Sequence, residues 1–223
     1  MYGKLVMTNV FKKIEISEKD WQEMIKRLEK RRGSPWWNFT SRAAMLKIID
    51  PERFSKVSIL EKEWQQIKED LKNLKVWRWW REFCFLAMEI KILDSERFKD
   101  IEISESDWQK MREKLRELKG EPWRDFLKMA QALKILNPEI EISISEKDWQ
   151  EIKKTLGNYK RNVWLIFVEQ AAQIKIIWPE KFKEISISKK DLKEIKKEIE
   201  IFRKKGFWRD FSTMVMGMKI LGS

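Results

Sequence analysis

Five cations, Arg32, Lys75, Lys119, Lys160 and Arg203, each stand eleven residues past a Trp or Leu: Trp21, Trp64, Trp108, Trp149 and Leu192. A second row, Lys47, Lys91, Lys134, Lys175 and Lys219, stands eight residues past Phe39, Phe83, Phe126, Phe167 and Phe211. Rows of this kind can hold phosphates or carboxylates through charge-assisted hydrogen bonds. They can equally complement the negative end of a helix while their stems lie on apolar neighbours. Beside them stand aromatic residues outside any recurring position: Trp37, Trp77, Trp79, Tyr159, Phe202 and Phe207. Their basic neighbours include Arg31, Arg78, Arg81, Arg161, Lys204 and Lys205. An edge that mixes aromatics and cations suits stacking on single-stranded RNA or contact with an acidic protein surface. Satellite packing beneath a loop is the competing reading.

Catalytic chemistry has little to work with. The chain has no histidine and a single cysteine, Cys84. That removes Ser-His-Asp and Cys-His catalysis, the commonest metal ligand, and a structural zinc site. Neither G-x-x-x-x-G-K-[ST] nor G-x-G-x-x-G occurs. The reading is therefore a non-enzyme without cofactor or metal. One cysteine excludes an internal disulfide and suits a reducing, cytoplasmic location. The most apolar stretch, 164–178, is interrupted by Glu169 and Lys175 and is too short to span a bilayer. Residues 1–10 show no signal-peptide pattern.

The elements that position these rows come from an internal repeat. A first signature, I-x-I-S-x-x-[DE]-W, has its acid at Asp20, Glu63, Asp107, Asp148 and Asp191, in steps of 41 to 44 residues. Ser17, Ser104, Ser145 and Ser188 stand three residues before the acid, the spacing of a capping box. Leu60 replaces the serine in the second copy and predicts a less firmly started helix. Trp108, Met111 and Leu115 continue as one amphipathic stripe, helix A. The second signature carries the pairs Trp36/Phe39, Trp80/Phe83, Trp123/Phe126, Trp164/Phe167 and Trp208/Phe211. In it Trp123, Phe126, Ala130 and Leu133 share about 80° of arc, which predicts helix B. Pro51, Pro138 and Pro179 then stop the helix.

Self-similarity at ~43 residues resembles HEAT and armadillo repeats more than the shorter tetratricopeptide repeat. The resemblance is one of architecture and carries no functional residues. It implies an all-α fold, a right-handed α-solenoid of helix-turn-helix repeats with short extended lead-ins, forming one elongated domain. The repeats are 11–53, 54–97, 98–139, 140–181 and 182–223. Residues 1–10 align with the end of a helix B as a partial repeat, and the drifted fifth repeat reads as a C-terminal cap. Gly157 and Asn158 are expected in the hairpin loop of repeat 4.

The net charge of +12 divides as +4, +1, 0, +1 and +5 over the repeats, with Lys4 adding one. A continuous polyanion track would load every repeat, so the distribution disfavours nucleic acid. Varied residues on the helix B frame are the other candidate surface. Two before the Phe stand Trp37, Arg81, Arg124, Leu165 and Arg209. Two after it stand Ser41, Phe85, Lys128, Glu169 and Thr213, and six after it stand Met45, Glu89, Ala132, Gln173 and Gly217. The expected function is a binding scaffold, monomeric, for a protein or peptide. Single-stranded RNA binding and a purely structural spacer are the alternatives.

Overall fold

A computed structural model describes residues 14–33, 35–120 and 122–223. The reading of residues 1–10 as a partial repeat lies outside them. Within the described residues the chain is all-α and without strands. Its helices are α1 (Glu18–Glu29), α2 (Trp37–Ile49), α3 (Pro51–Phe54), α4 (Glu61–Val76), α5 (Trp80–Leu93), α6 (Ser95–Lys99), α7 (Glu105–Glu117), α8 (Trp123–Leu136), α9 (Glu146–Asn162), α10 (Trp164–Ile177), α11 (Pro179–Phe182), α12 (Lys189–Lys205) and α13 (Trp208–Gly222). The described residues fall into two compact units, 25–141 and 14–24 with 142–223.

In the four copies that carry the cap serine, helix A starts where that serine predicts. The return bond of the capping box forms with Asp in every case: Ser17 N to Asp20 at 3.0 Å, Ser104 N to Asp107 at 2.9 Å, Ser145 N to Asp148 at 3.1 Å and Ser188 N to Asp191 at 2.7 Å. The serine Oγ in turn accepts from the acid's own backbone N–H. At Leu60 only half the box exists, the Leu60 N–H donating to Glu63 at 2.7 Å.

Helix B is built on its Trp–Phe step. In all five copies the two rings meet edge to face, with centroids 5.5–5.7 Å apart and interplanar angles of 69–88°. All five phenylalanines are buried. Within the unit 25–141, α5 packs between α2 and α8; in the other unit α10 packs against α13. Cys84 is fully buried, and burial pushes its thiol pKa up.

Two expectations about loops fail. The residues after helix B are not simply extended, because three short helices, α3, α6 and α11, intervene. Asp50 and Asp94 cap the first two, accepting from the N–H groups of Arg53 and of Glu96 and Arg97. Pro51 and Pro179 occupy the first helical position of α3 and α11, where a missing N–H costs nothing. Thus proline here starts a turn as well as ending one. Second, Gly157 and Asn158 lie inside α9, not in a loop. The buried stripe Trp149, Ile152 and Leu156 carries the helix into that region, and Arg161 and Asn162 bond back onto Gly157 O and Asn158 O. Packing outweighs the ~1 kcal/mol that a helical glycine costs.

Candidate functional site

The helix A row of cations joins repeats. Lys75 Nζ stands 2.5 Å from Asp107 Oδ2, and Lys160 Nζ 2.7 Å from Asp191 Oδ2. Arg32 bonds Glu63 at 2.6 Å, donates to Ser58 O at 2.7 Å, and lies 5.1 Å over the Phe39 ring. Lys160 repeats that pattern with Ser186 O at 2.8 Å and the Phe167 ring at 6.0 Å. The acid is in each case the capping acid of the following repeat. Burial alone would raise the carboxyls of Asp107, Asp191 and Glu63, but bonds from Lys75, Lys160 and Arg32 and from the cap hold them below the usual range. A group depressed in this way contributes stability above its unfolded pKa and loses it as the pH falls. Helix-dipole complement is therefore not the main role of this row.

The helix B lysines also reach across. Lys47 donates to Leu93 O at 2.7 Å, Lys91 to Leu136 O at 2.9 Å, and Lys175 to Ile220 O at 2.9 Å. Each closes the orphan carbonyls at the end of a neighbouring helix B. Lys134 instead bonds Ile140 O at 3.0 Å. Burial lowers the pKa of Lys175. Further ion pairs join Arg97 to Glu61 and Lys153 to Glu184.

Repeat 5 contacts residues 14–24. Arg203 Nη2 donates to Glu15 O at 2.8 Å, and its guanidinium lies 5.3 Å over the Phe211 ring. Its Nε stands 3.3 Å from Asp20 Oδ2 without the alignment of a hydrogen bond. Ser212 Oγ lies 3.1 Å from Met24 Sδ.

Of the varied helix B positions, the row six past the Phe is mostly not a surface. Glu89, Ala132, Gln173 and Gly217 are buried; Met45 is half-buried. A Cβ on Gly217 would stand 2.6 Å from Val168 Cγ1, which shows how closely α13 approaches α10. Glu89 accepts from Thr40 Oγ1 at 2.6 Å, and burial raises its pKa to about 7 against the bonds from Thr40 and Ser41 and the charge of Lys128. Sequence reasoning placed Glu89 in a surface row and missed it as a buried acid. On α10, Gln170 and Gln173 are buried with side-chain atoms that have no hydrogen-bond partner, a cost of about 1–3 kcal/mol per group.

The remaining predicted residues divide. Lys128 lies 4.6 Å over the Phe85 ring, and Arg81 pairs with Glu82 at 2.7 Å and Asp125 at 3.5 Å. Trp37, Lys119, Arg124 and Arg209 are exposed and Glu169 is half-buried. At the turn between α4 and α5, Val76 is 74% exposed, Trp77 53% and Trp79 50%, with the two indoles 5.3 Å apart. Between them Arg78 adopts φ +62°, the left-handed conformation that costs a non-glycine residue about 1–2 kcal/mol. Phe207 is exposed against Phe202 at the equivalent turn of repeat 5. No described helix is long and apolar enough to cross a membrane.

No family model, curated protein or solved structure matches the chain.

Proposed function

We propose that the chain is a non-enzymatic binding scaffold, an α-solenoid-like series of five helical hairpins that recognises a protein or peptide through the edge where helix A turns into helix B. The observation that carries this reading is the Trp77-Arg78-Trp79 turn. Two large indoles are left half in solvent on either side of a left-handed arginine. Trp and Arg are also the residue types that dominate binding energy at protein interfaces. The single-stranded RNA reading loses its main support, because the cation rows that suggested it hold acids and carbonyls of neighbouring repeats.

Substitution of both tryptophans, Trp77→Ala with Trp79→Ala, is expected to weaken capture of the cognate protein by about 30-fold or more, the effect of losing a ~2 kcal/mol anchor. Nuclease treatment should leave capture unchanged. The decisive comparison is immobilised wild type against the double variant, alongside titration with mixed-sequence RNA at two salt concentrations. Equal capture by both baits sinks the assignment to this turn. RNA affinity that falls steeply with salt would favour the nucleic-acid reading instead.

A further inference from the structure

The contact between repeat 5 and residues 14–24 has the same parts as the joints inside the chain, yet no short linker imposes it. At the joints of repeats 1–2 and 4–5 the cation, the capping acid and the carbonyl five residues before that acid come from consecutive repeats. At Arg203 the carbonyl and the capping acid come from Glu15 and Asp20, 188 and 183 positions away along the chain. A groove of about 330 Å³ lies along this contact, lined by Ile14, Glu15, Lys196, Ile199, Glu200 and Arg203. It is also the less well-made version: Arg203 Nε is buried and misaligned with Asp20, whereas Arg32 and Lys160 meet their acids at 2.6 and 2.7 Å.

We infer that this face of repeat 5 is a self-association surface, and that its partner is residues 14–24 of a second copy of this chain. The contact made within one chain and the contact made between two use the same atoms: a guanidinium on a capping acid and a backbone carbonyl, over an aromatic ring. Tethering favours the intramolecular form, since one chain holds both faces of the contact. Lowering the intramolecular affinity alone exposes the exchange.

Opposite charge reversals test it. Asp20→Arg puts two arginines at the contact in one variant, and Arg203→Asp puts two aspartates there in another. Each alone faces like charge within its own chain, but a mixture restores both pairs between chains. The expected result by light scattering is single-chain mass for each variant and twice that mass for the equimolar mixture. A chain carrying both reversals should remain at single-chain mass. A mixture that stays at single-chain mass up to about 1 mM overturns the inference. Should either variant lack the helical circular dichroism of the wild type, single cysteines replace the charges. A Glu15→Cys chain mixed with a Lys196→Cys chain should then form the intermolecular disulfide at least tenfold faster than with a Lys110→Cys chain. Equal rates overturn it, and the native Cys84, fully buried, does not compete.

Discussion

Replacing Glu89 with glutamine stabilises this protein above neutral pH and removes part of its pH dependence. Glu89 is held at the contact of α2 with α5, where it accepts from Thr40 Oγ1. Ser41 on α2 and Lys128 on α8 face it as well. Burial is the largest influence and raises its pKa to about 7 from the ordinary value of 4.5. The sign follows from which state loses its proton first. Below about pH 4.5 the carboxyl is neutral in both states and costs nothing. As the pH rises the unfolded chain ionises first, so stability falls until the native pKa is passed. A displacement of roughly two and a half units corresponds to about 3 kcal/mol. Glutamine keeps the accepting oxygen and removes the charge. Unfolding free energies of wild type and Glu89→Gln, from denaturant titrations, should differ by about 3 kcal/mol at pH 8 and converge toward pH 4. Glu198, raised mainly by burial, shares the sign, which is why the difference between the two proteins is the quantity to read. A difference independent of pH contradicts the account of this site.

The second large effect is steric. Gly217→Val introduces a Cβ that stands 2.6 Å from Val168 Cγ1 and 3.2 Å from Val168 O before either methyl group is added. Val168 is fully buried and its short branched side chain has no free end to swing aside. Overpacking of this kind costs about 3 kcal/mol, the upper end of the usual range. The better helix propensity of valine recovers only a few tenths. Combining the change with Val168→Ala relieves the closest contact, so the double variant should recover more than half of the loss in urea-unfolding free energy. Additive losses would mean that α13 and α10 do not meet as described.

What could be read from the amino-acid order was local. Ser104 three residues before Asp107 specifies a cap, and Trp123 with Phe126 specifies one face of a helix; both signals act within a single turn. The lead-in turns α3 and α11 were missed because Pro51 and Pro179 carry two meanings, an end to one helix and a first position for the next. Gly157 misled because its turn propensity is weaker than the apolar stripe that runs past it. Among the site residues, the cations at Arg32, Lys75, Lys160 and Arg203 were found by their spacing, but their acids lie in another repeat. The signal was present: each repeat also carries an acid at a fixed place, and matching one row against the other offers a pairing without any ligand. Burial of Glu89, Gln173 and Gly217 was not legible, because which side of helix B meets the next one depends on the packing of repeats and not on the order within one.

Arg32, Lys75 and Lys160 each fasten to the capping acid of the following repeat. A double-mutant cycle on Lys75 and Asp107 tests this most directly. Lys75→Met removes the ammonium and keeps the stem, and Asp107→Asn keeps an acceptor for the Ser104 N–H. Measured by urea unfolding at pH 7 and low salt, the pair should show a coupling energy of at least about 1 kcal/mol, as residues in one salt-bridge network do. A coupling within about 0.3 kcal/mol of zero would mean that Lys75 is not fastened to Asp107, and the row would return to the list of groups available to a ligand.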